Sequence, residues 1–143
     1  MGEDFEEKAQ DRGLPGVVGL KTASELKEAA GHSYQGFVST LLGEKAFRTD
    51  LLVFAICSCA AILIPGLSWC ERAVMIYVAF APLVAELTNT AIEKTIDRIS
   101  TERHPLSGLV KDVGSALVAF AFIGAGICWL VILLGWSLRY FGG

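Results

Sequence analysis

The chain has 143 residues, a formal net charge of −3 and a hydrophobic content of 53%, with a mean hydropathy of +0.53. That length argues for one domain. No basic patch is interleaved with aromatics, which excludes nucleic-acid binding as the reading to pursue. The apolar excess is concentrated rather than spread. Uncharged stretches run from Leu51 to Cys70, from Ala73 to Ala85 and from Val113 to Leu138. About 20 apolar residues cross a bilayer core as helix, so the expected class is an all-α membrane protein with three transmembrane helices.

In chain order, residues 1–21 are acidic and then glycine-rich, with Glu3, Asp4, Glu6, Glu7 and Asp11 followed by Gly13, Gly16 and Gly19. They read as a disordered cytoplasmic tail. No short apolar run follows the charged start, so no cleavable signal peptide is expected. Residues 22–48 carry an amphipathic pattern. Leu26, Ala29, Ala30, Phe37, Leu41, Leu42 and Phe47 mark the apolar side, with Glu28, Glu44, Lys45 and Arg48 on the polar one. The expectation is a helix at the membrane surface, capped by Thr22 or Ser24 and divisible into two short helices at its glycines. Transmembrane spans are expected at about 50–66, 71–99 and 109–137, which makes residues 22–143 one membrane-embedded domain. Gly114, Gly124 and Gly126 in the last span suit close helix approach.

Lys45 and Arg48 precede the first span, and Lys94, Arg98, Arg103 and Lys111 lie between the second and third. The first turn carries only Arg72. The positive-inside rule therefore places the N-terminus and the second loop in the cytoplasm. The four cysteines, Cys57, Cys59, Cys70 and Cys128, form no CxxC pair and are expected to be small buried hydrophobes.

The second span does not stay apolar. Glu86, Asn89, Glu93 and Asp97 follow at spacings of three, four and four, and at about 100° per residue they share one helical face within roughly 80°. Acids at the inner end of an apolar helix are costly unless they have partners or a task. Asp, Glu and Asn oxygens are hard ligands for Mg²⁺, which often bridges phosphates. A lysine such as Lys111 can offset phosphoryl charge, and a carboxylate can act as general base toward an alcohol. These are the parts of phosphoryl transfer. No G-x-x-x-x-G-K-[ST] loop and no kinase H-R-D or D-F-G set is present. On the residues alone, a proton-coupled membrane transporter and a structural membrane oligomer stay open as alternatives.

The run Ala85-Glu86-Leu87-Thr88-Asn89-Thr90-Ala91-Ile92-Glu93, then Ile96-Asp97-Arg98-Ile99, His104-Pro105-Leu106-Ser107-Gly108 and Lys111-Asp112-Val113-Gly114-Ser115-Ala116, resembles the bacterial membrane diacylglycerol kinase family. The resemblance covers about Thr22 to Trp136. It implies a homotrimer of three-span subunits, each with a surface helix, in the bacterial inner membrane, with active sites shared between subunits. The implied activity transfers the γ-phosphoryl of MgATP to diacylglycerol; an undecaprenol acceptor is the nearest variant. By matching position, Glu86 is the implied catalytic base, and Glu44 and Glu93 are the implied carboxylates for Mg²⁺ and ATP. His32, Glu102, Arg103, His104, Lys111 and Asp112 are implied nucleotide contacts. Ala30, Ser33, Tyr34 and Ser115 are placed toward the lipid, and Asn89 and Asp97 support the site. Glu25 and Glu28 stand where the family commonly carries basic residues, and His32 where an aromatic is frequent.

Overall fold

The computed structural model describes residues 22–99, 102 and 104–142. The expected N-terminal tail at 1–21 and Arg103 lie outside the described residues. The chain divides into two compact units, one ending at Val38 and the other spanning Ser39–Gly143. Among the described residues all regular structure is α-helical: α1 Ala23–Gly43, α2 Lys45–Leu63, α3 Trp69–Ile99 and α4 Pro105–Phe141. The all-α expectation holds, and α2, α3 and α4 are each long and apolar enough to cross a membrane.

Helix α1 starts on a reciprocal cap. The Thr22 amide donates to Glu25 Oε2 at 2.6 Å, and the Glu25 amide donates back to Thr22 Oγ1 at 3.4 Å. This satisfies two of the donors a helix start leaves orphaned. The acid at position 25 thus has a local structural task. Glu28 likewise lies 3.7 Å from His32 one turn on. The Thr22 amide and hydroxyl hold the Glu25 carboxyl below its usual range. A lowered folded-state value means the stabilisation is fully present above the ordinary glutamate range and lost as pH falls through the lowered value. The Leu26 amide, bonded to the Thr22 carbonyl at 3.0 Å, should therefore lose protection only below the ordinary glutamate range in hydrogen exchange corrected for intrinsic rate.

The helix then runs unbroken through Gly31 and Gly36 to Gly43, rather than as two short pieces. The break comes at Glu44, whose backbone is extended at φ −109° and ψ 117°. Arg48 closes the corner by donating from Nη1 to the carbonyls of Leu41 and Leu42 at 3.2 and 2.9 Å. A guanidinium near a helix C-terminus satisfies its last carbonyls and suits its dipole. Consequently Lys45 and Arg48 belong to the first turn of α2, not to the surface helix, and the first spanning helix begins earlier than its uncharged run.

In the Ser39–Gly143 unit, α3 packs against both α2 and α4. Its buried positions include Met75, Ala79, Pro82, Leu83, Glu86, Asn89 and Thr90, the three-and-four spacing of one helical face. Pro82 removes one donor from the helix, yet α3 continues through it. The core at one end joins Ala61, Leu67 and Met75 to Trp129, Ile132, Leu133 and Trp136. Large apolar side chains such as Leu52, Ile56, Tyr77, Phe120, Ile127 and Leu130 are exposed, as the outer surface of a membrane bundle requires.

That core end is held by polar contacts at the α2–α3 turn. Ser68 and Glu71 form a second reciprocal cap, with bonds of 2.8 Å from the Ser68 amide and 3.3 Å from the Glu71 amide. Glu71 also pairs with Arg139. Arg72 donates to the carbonyls of Ala61, Ile62 and Ile64, closing α2. Trp136 Nε1 donates to the Pro65 carbonyl at 2.7 Å. Gly66 turns with φ +78° under the Tyr140 and Trp136 rings, a conformation that favours glycine. The polar residues therefore gather at the opposite end of α3, clear of this clamp. The cysteines are unpaired; Cys57 and Cys128 are half-buried, whereas Cys59 and Cys70 are exposed on the single chain.

Candidate functional site

The buried face of α3 changes character after Leu83 without changing direction. Glu86 and Asn89 occupy the same stripe as Met75, Ala79 and Leu83, and each is only 7% exposed. A carboxylate and an amide thus stand where the helix otherwise places core residues. The Asn89 Nδ2 donates to Glu93 Oε1 at 3.1 Å, a one-turn bond that orients the second acid. The carboxylates of Asp50, Glu93 and Glu44 are the charged groups acting on Glu86. Four acids from α2, α3 and the α1–α2 corner therefore share one electrostatic neighbourhood.

Two lysines border this cluster. Lys94 Nζ lies 3.1 Å from Glu44 Oε1. Lys111 Nζ lies 2.6 Å from Asp97 Oδ1, joining α4 to α3. Glu44 is the N-cap residue of α2, but its side chain makes no capping bond, so the carboxylate turns to Lys94 instead. Gly114 sits three residues beyond Lys111 and is buried. A Cβ built there would lie 2.2 Å from Asn89 Oδ1 and 3.3 Å from Asn89 Cγ. Glycine suits this approach, because any larger residue displaces the Asn89 amide or moves α4 away from α3. Gly124 and Gly126 differ: a Cβ at either would meet open space within the chain. Of the three glycines expected to bring helices together, Gly114 alone does so within this chain.

Most of the sequence-derived candidates in the Ser39–Gly143 unit converge. Glu44, Glu86, Asn89 and Glu93 share the neighbourhood above, and Asp97 and Lys111 form a separate pair further along α3 and α4. Asp112 and Ser115 are exposed on α4. His104 has a structural position: its Nδ1 accepts from the Leu106 amide at 3.2 Å as N-cap of α4, just before Pro105. Proline in the first turn after such a cap is a preferred helix start. Glu102 is exposed. Ala30, His32, Ser33 and Tyr34 are exposed on α1 in the unit ending at Val38; there Ser33 Oγ donates to the Ala29 carbonyl at 3.0 Å.

Sequence reasoning missed two contributors. Asp50 is the last charge before the uncharged run of α2, and its Oδ2 is buried without a donor among the described residues. The pairing of Lys94 with Glu44 is the second, since the sequence places Lys94 only among the cations bordering the acidic face. The available signal for Asp50 was its isolation, one acid in front of 20 uncharged residues, where an unpartnered charge is expensive.

The donor set fits Mg²⁺ carried by a nucleotide. It consists of hard oxygens, and both Asp50 Oδ2 and Asn89 Oδ1 are buried acceptors with no donor among the described residues. Such a cluster is short of positive charge. Among the described residues no group of three or more His, Cys, Asp or Glu side chains is disposed to hold a metal by itself. Mg²⁺ typically takes one or two carboxylates and completes its shell with water and phosphate oxygens.

Three apolar helices and a polar site at one end of their common core define a small polytopic α-helical membrane protein. Comparison with known proteins narrows this. A sequence model of the prokaryotic diacylglycerol kinase family matches residues 31–133. The diacylglycerol kinase of Pseudomonas aeruginosa is 43% identical over 120 residues, covering 84% of this chain and 94% of that protein. That of Haemophilus influenzae is 40% identical over 115 residues, covering 77% and 92%. That of Escherichia coli K12 is 36% identical over 118 residues, covering 77% and 88%. This chain belongs to the prokaryotic diacylglycerol kinase family and is an enzyme of the kinase class.

Proposed function

We propose that the chain transfers the γ-phosphoryl of MgATP to the free hydroxyl of diacylglycerol, giving phosphatidic acid and ADP. The observation that carries this reading is the buried Glu86, set in the apolar stripe of α3 beside Asp50, Glu93 and Glu44. The activity for which the family is named supports it.

Glu86 acts as the general base in this reading. It takes the hydroxyl proton as the acceptor oxygen bonds to the γ-phosphorus and the bond to the β–γ bridging oxygen breaks. A carboxylate of this kind contributes about 10²- to 10⁴-fold. Glu44 and Glu93 hold Mg²⁺, which when bound neutralises charge on the β- and γ-phosphates. Asn89 orients Glu93 through the bond described above. Asp97 holds Lys111 in reach of the nucleotide, where an ammonium offsets phosphoryl charge. His32, Glu102, Arg103, His104 and Asp112 complete the nucleotide contacts. Ala30, Ser33, Tyr34 and Ser115 face the lipid. An acceptor whose tail stays in the bilayer suits a site at one end of spanning helices.

The working form is a homotrimer in the bacterial inner membrane with shared sites, its N-terminus and active site cytoplasmic. The many exposed apolar residues support burial against lipid and neighbouring subunits, and the cationic residues around the second loop support the orientation. The test is an acceptor panel. Purified protein in mixed micelles with Mg·ATP should phosphorylate diacylglycerol faster than undecaprenol. A preference for undecaprenol would reassign the substrate.

A further inference from the structure

Lys94 follows Glu93 directly and places its ammonium on Glu44, across the gap between α3 and the α1–α2 corner. The Nζ–Oε1 distance is 3.1 Å, with side chains 53% and 35% exposed. No local rule demands this pair. Glu44 is not needed as a helix cap, and Lys94 has solvent on its other sides. The second lysine of the site is engaged separately, by Asp97. Lys94 is thus the cation seated on a carboxylate that the proposed function gives to the metal.

Elsewhere on α3, Asn89 has an acceptor, unpartnered among the described residues, that faces Gly114 of α4. Asn89 is 93% buried by the complement of its 7% exposure. Its Nδ2 is spent on Glu93, and its Oδ1 lacks a donor among the described residues. The cluster holds the acids Glu86, Glu93, Glu44 and Asp50, and Lys94 supplies the positive charge that reaches Glu44. An ammonium at this distance and a divalent cation on the same carboxylate repel each other and compete for its negative charge.

We propose that Lys94 is a placeholder cation: it holds Glu44 in position while the site lacks metal and nucleotide, and it leaves Glu44 when the divalent cation arrives. This rests on the reading of Glu44 and Glu93 as metal carboxylates. The flexible four-carbon stem of lysine suits such an exchange. Lys94 is therefore a positioning residue that competes with the metal. Its removal should tighten metal binding while loosening the metal-free site, two effects of opposite sign that a merely structural surface lysine would not produce.

The experiment uses the full chain in detergent micelles and the Mn²⁺ complex of a non-hydrolysable ATP analogue as probe, with bound Mn²⁺ followed by electron paramagnetic resonance. Lys94→Met should bind Mn²⁺ about two- to fivefold more tightly than the wild type, the range expected for losing one exposed competing ion pair. Lys94→Arg, which keeps the charge, should stay near the wild type. The Tm of Lys94→Met should fall below the wild-type value without divalent cation, and saturating Mn²⁺ should close that difference. Unchanged or weaker Mn²⁺ binding by Lys94→Met would overturn the proposal. Glu93→Gln separates the two levels: if it abolishes Mn²⁺ binding while Lys94→Met changes nothing, the placeholder role alone falls. If Glu93→Gln has no effect on Mn²⁺ binding, the metal reading itself falls, and the placeholder role with it.

Discussion

Glu86→Gln should lower lipid phosphorylation by about 10²- to 10⁴-fold while leaving the protein folded and at least as heat-stable as the wild type. Glutamine preserves the side chain's volume in the tightly packed stripe of α3, where Glu86 is 7% exposed, so no cavity forms. It also removes one negative charge from a neighbourhood that contains Asp50, Glu93 and Glu44. Relief of like-charge repulsion favours the folded state, and loss of the base abolishes proton transfer. Activity and stability should therefore move in opposite directions, as they do where function requires an unfavourable group. A structural role for Glu86 makes the contrary forecast: Tm and assembly would fall and specific activity of the folded fraction would survive. Thermal melts with and without Mg²⁺, paired with initial rates, distinguish the two.

Gly114→Ala is the second large effect. The added methyl would stand 2.2 Å from Asn89 Oδ1, far inside contact distance, so the amide must move or α4 must retreat from α3. Overpacking of this kind costs about 1–3 kcal/mol in a well-packed interior. Either response disturbs the 3.1 Å bond from Asn89 to Glu93 and with it the orientation of the carboxylate proposed to hold the metal. Turnover should fall by at least tenfold, with the apparent Mg²⁺ requirement raised. Gly124→Ala is the comparison, because its Cβ meets open space within the chain and alanine favours helix by about 1 kcal/mol. An equal loss in Gly124→Ala would place the effect in α4 generally rather than in the Asn89 contact.

These two residues also show what a sequence discloses and what it withholds. Glu86 was legible because helical periodicity sets it on one face with Asn89, Glu93 and Asp97, directly after an apolar run. A polar stripe in that setting is conspicuous, and the resemblance then separated the tasks of its members. The three spanning helices were legible for the same reason: hydropathy is a local property of the chain. Gly114 was noticed as a small residue, but nothing local separates it from Gly124 or Gly126. Only the approach of α4 to Asn89 does. Asp50 was missed because it stands alone on α2 and joins the site solely through helix packing. The pairing of Lys94 with Glu44 is hidden likewise, since 50 positions separate the partners. Element ends shifted where caps and carbonyl-binding arginines decide them. Arg48 and Arg72 close helices that hydropathy alone would begin or end elsewhere. Glu25, where the resemblance leads one to expect a basic residue, has a local task through its bond with Thr22.

The most direct test of the central claim is transfer of label from γ-³²P-ATP to lipid. Purified full-length protein in mixed micelles containing diacylglycerol and Mg²⁺ should yield labelled phosphatidic acid, with the yield removed by chelation of the metal and by Glu86→Gln. Absence of labelled lipid from folded, Mg·ATP-saturated protein, or undiminished labelling by Glu86→Gln, would contradict the account.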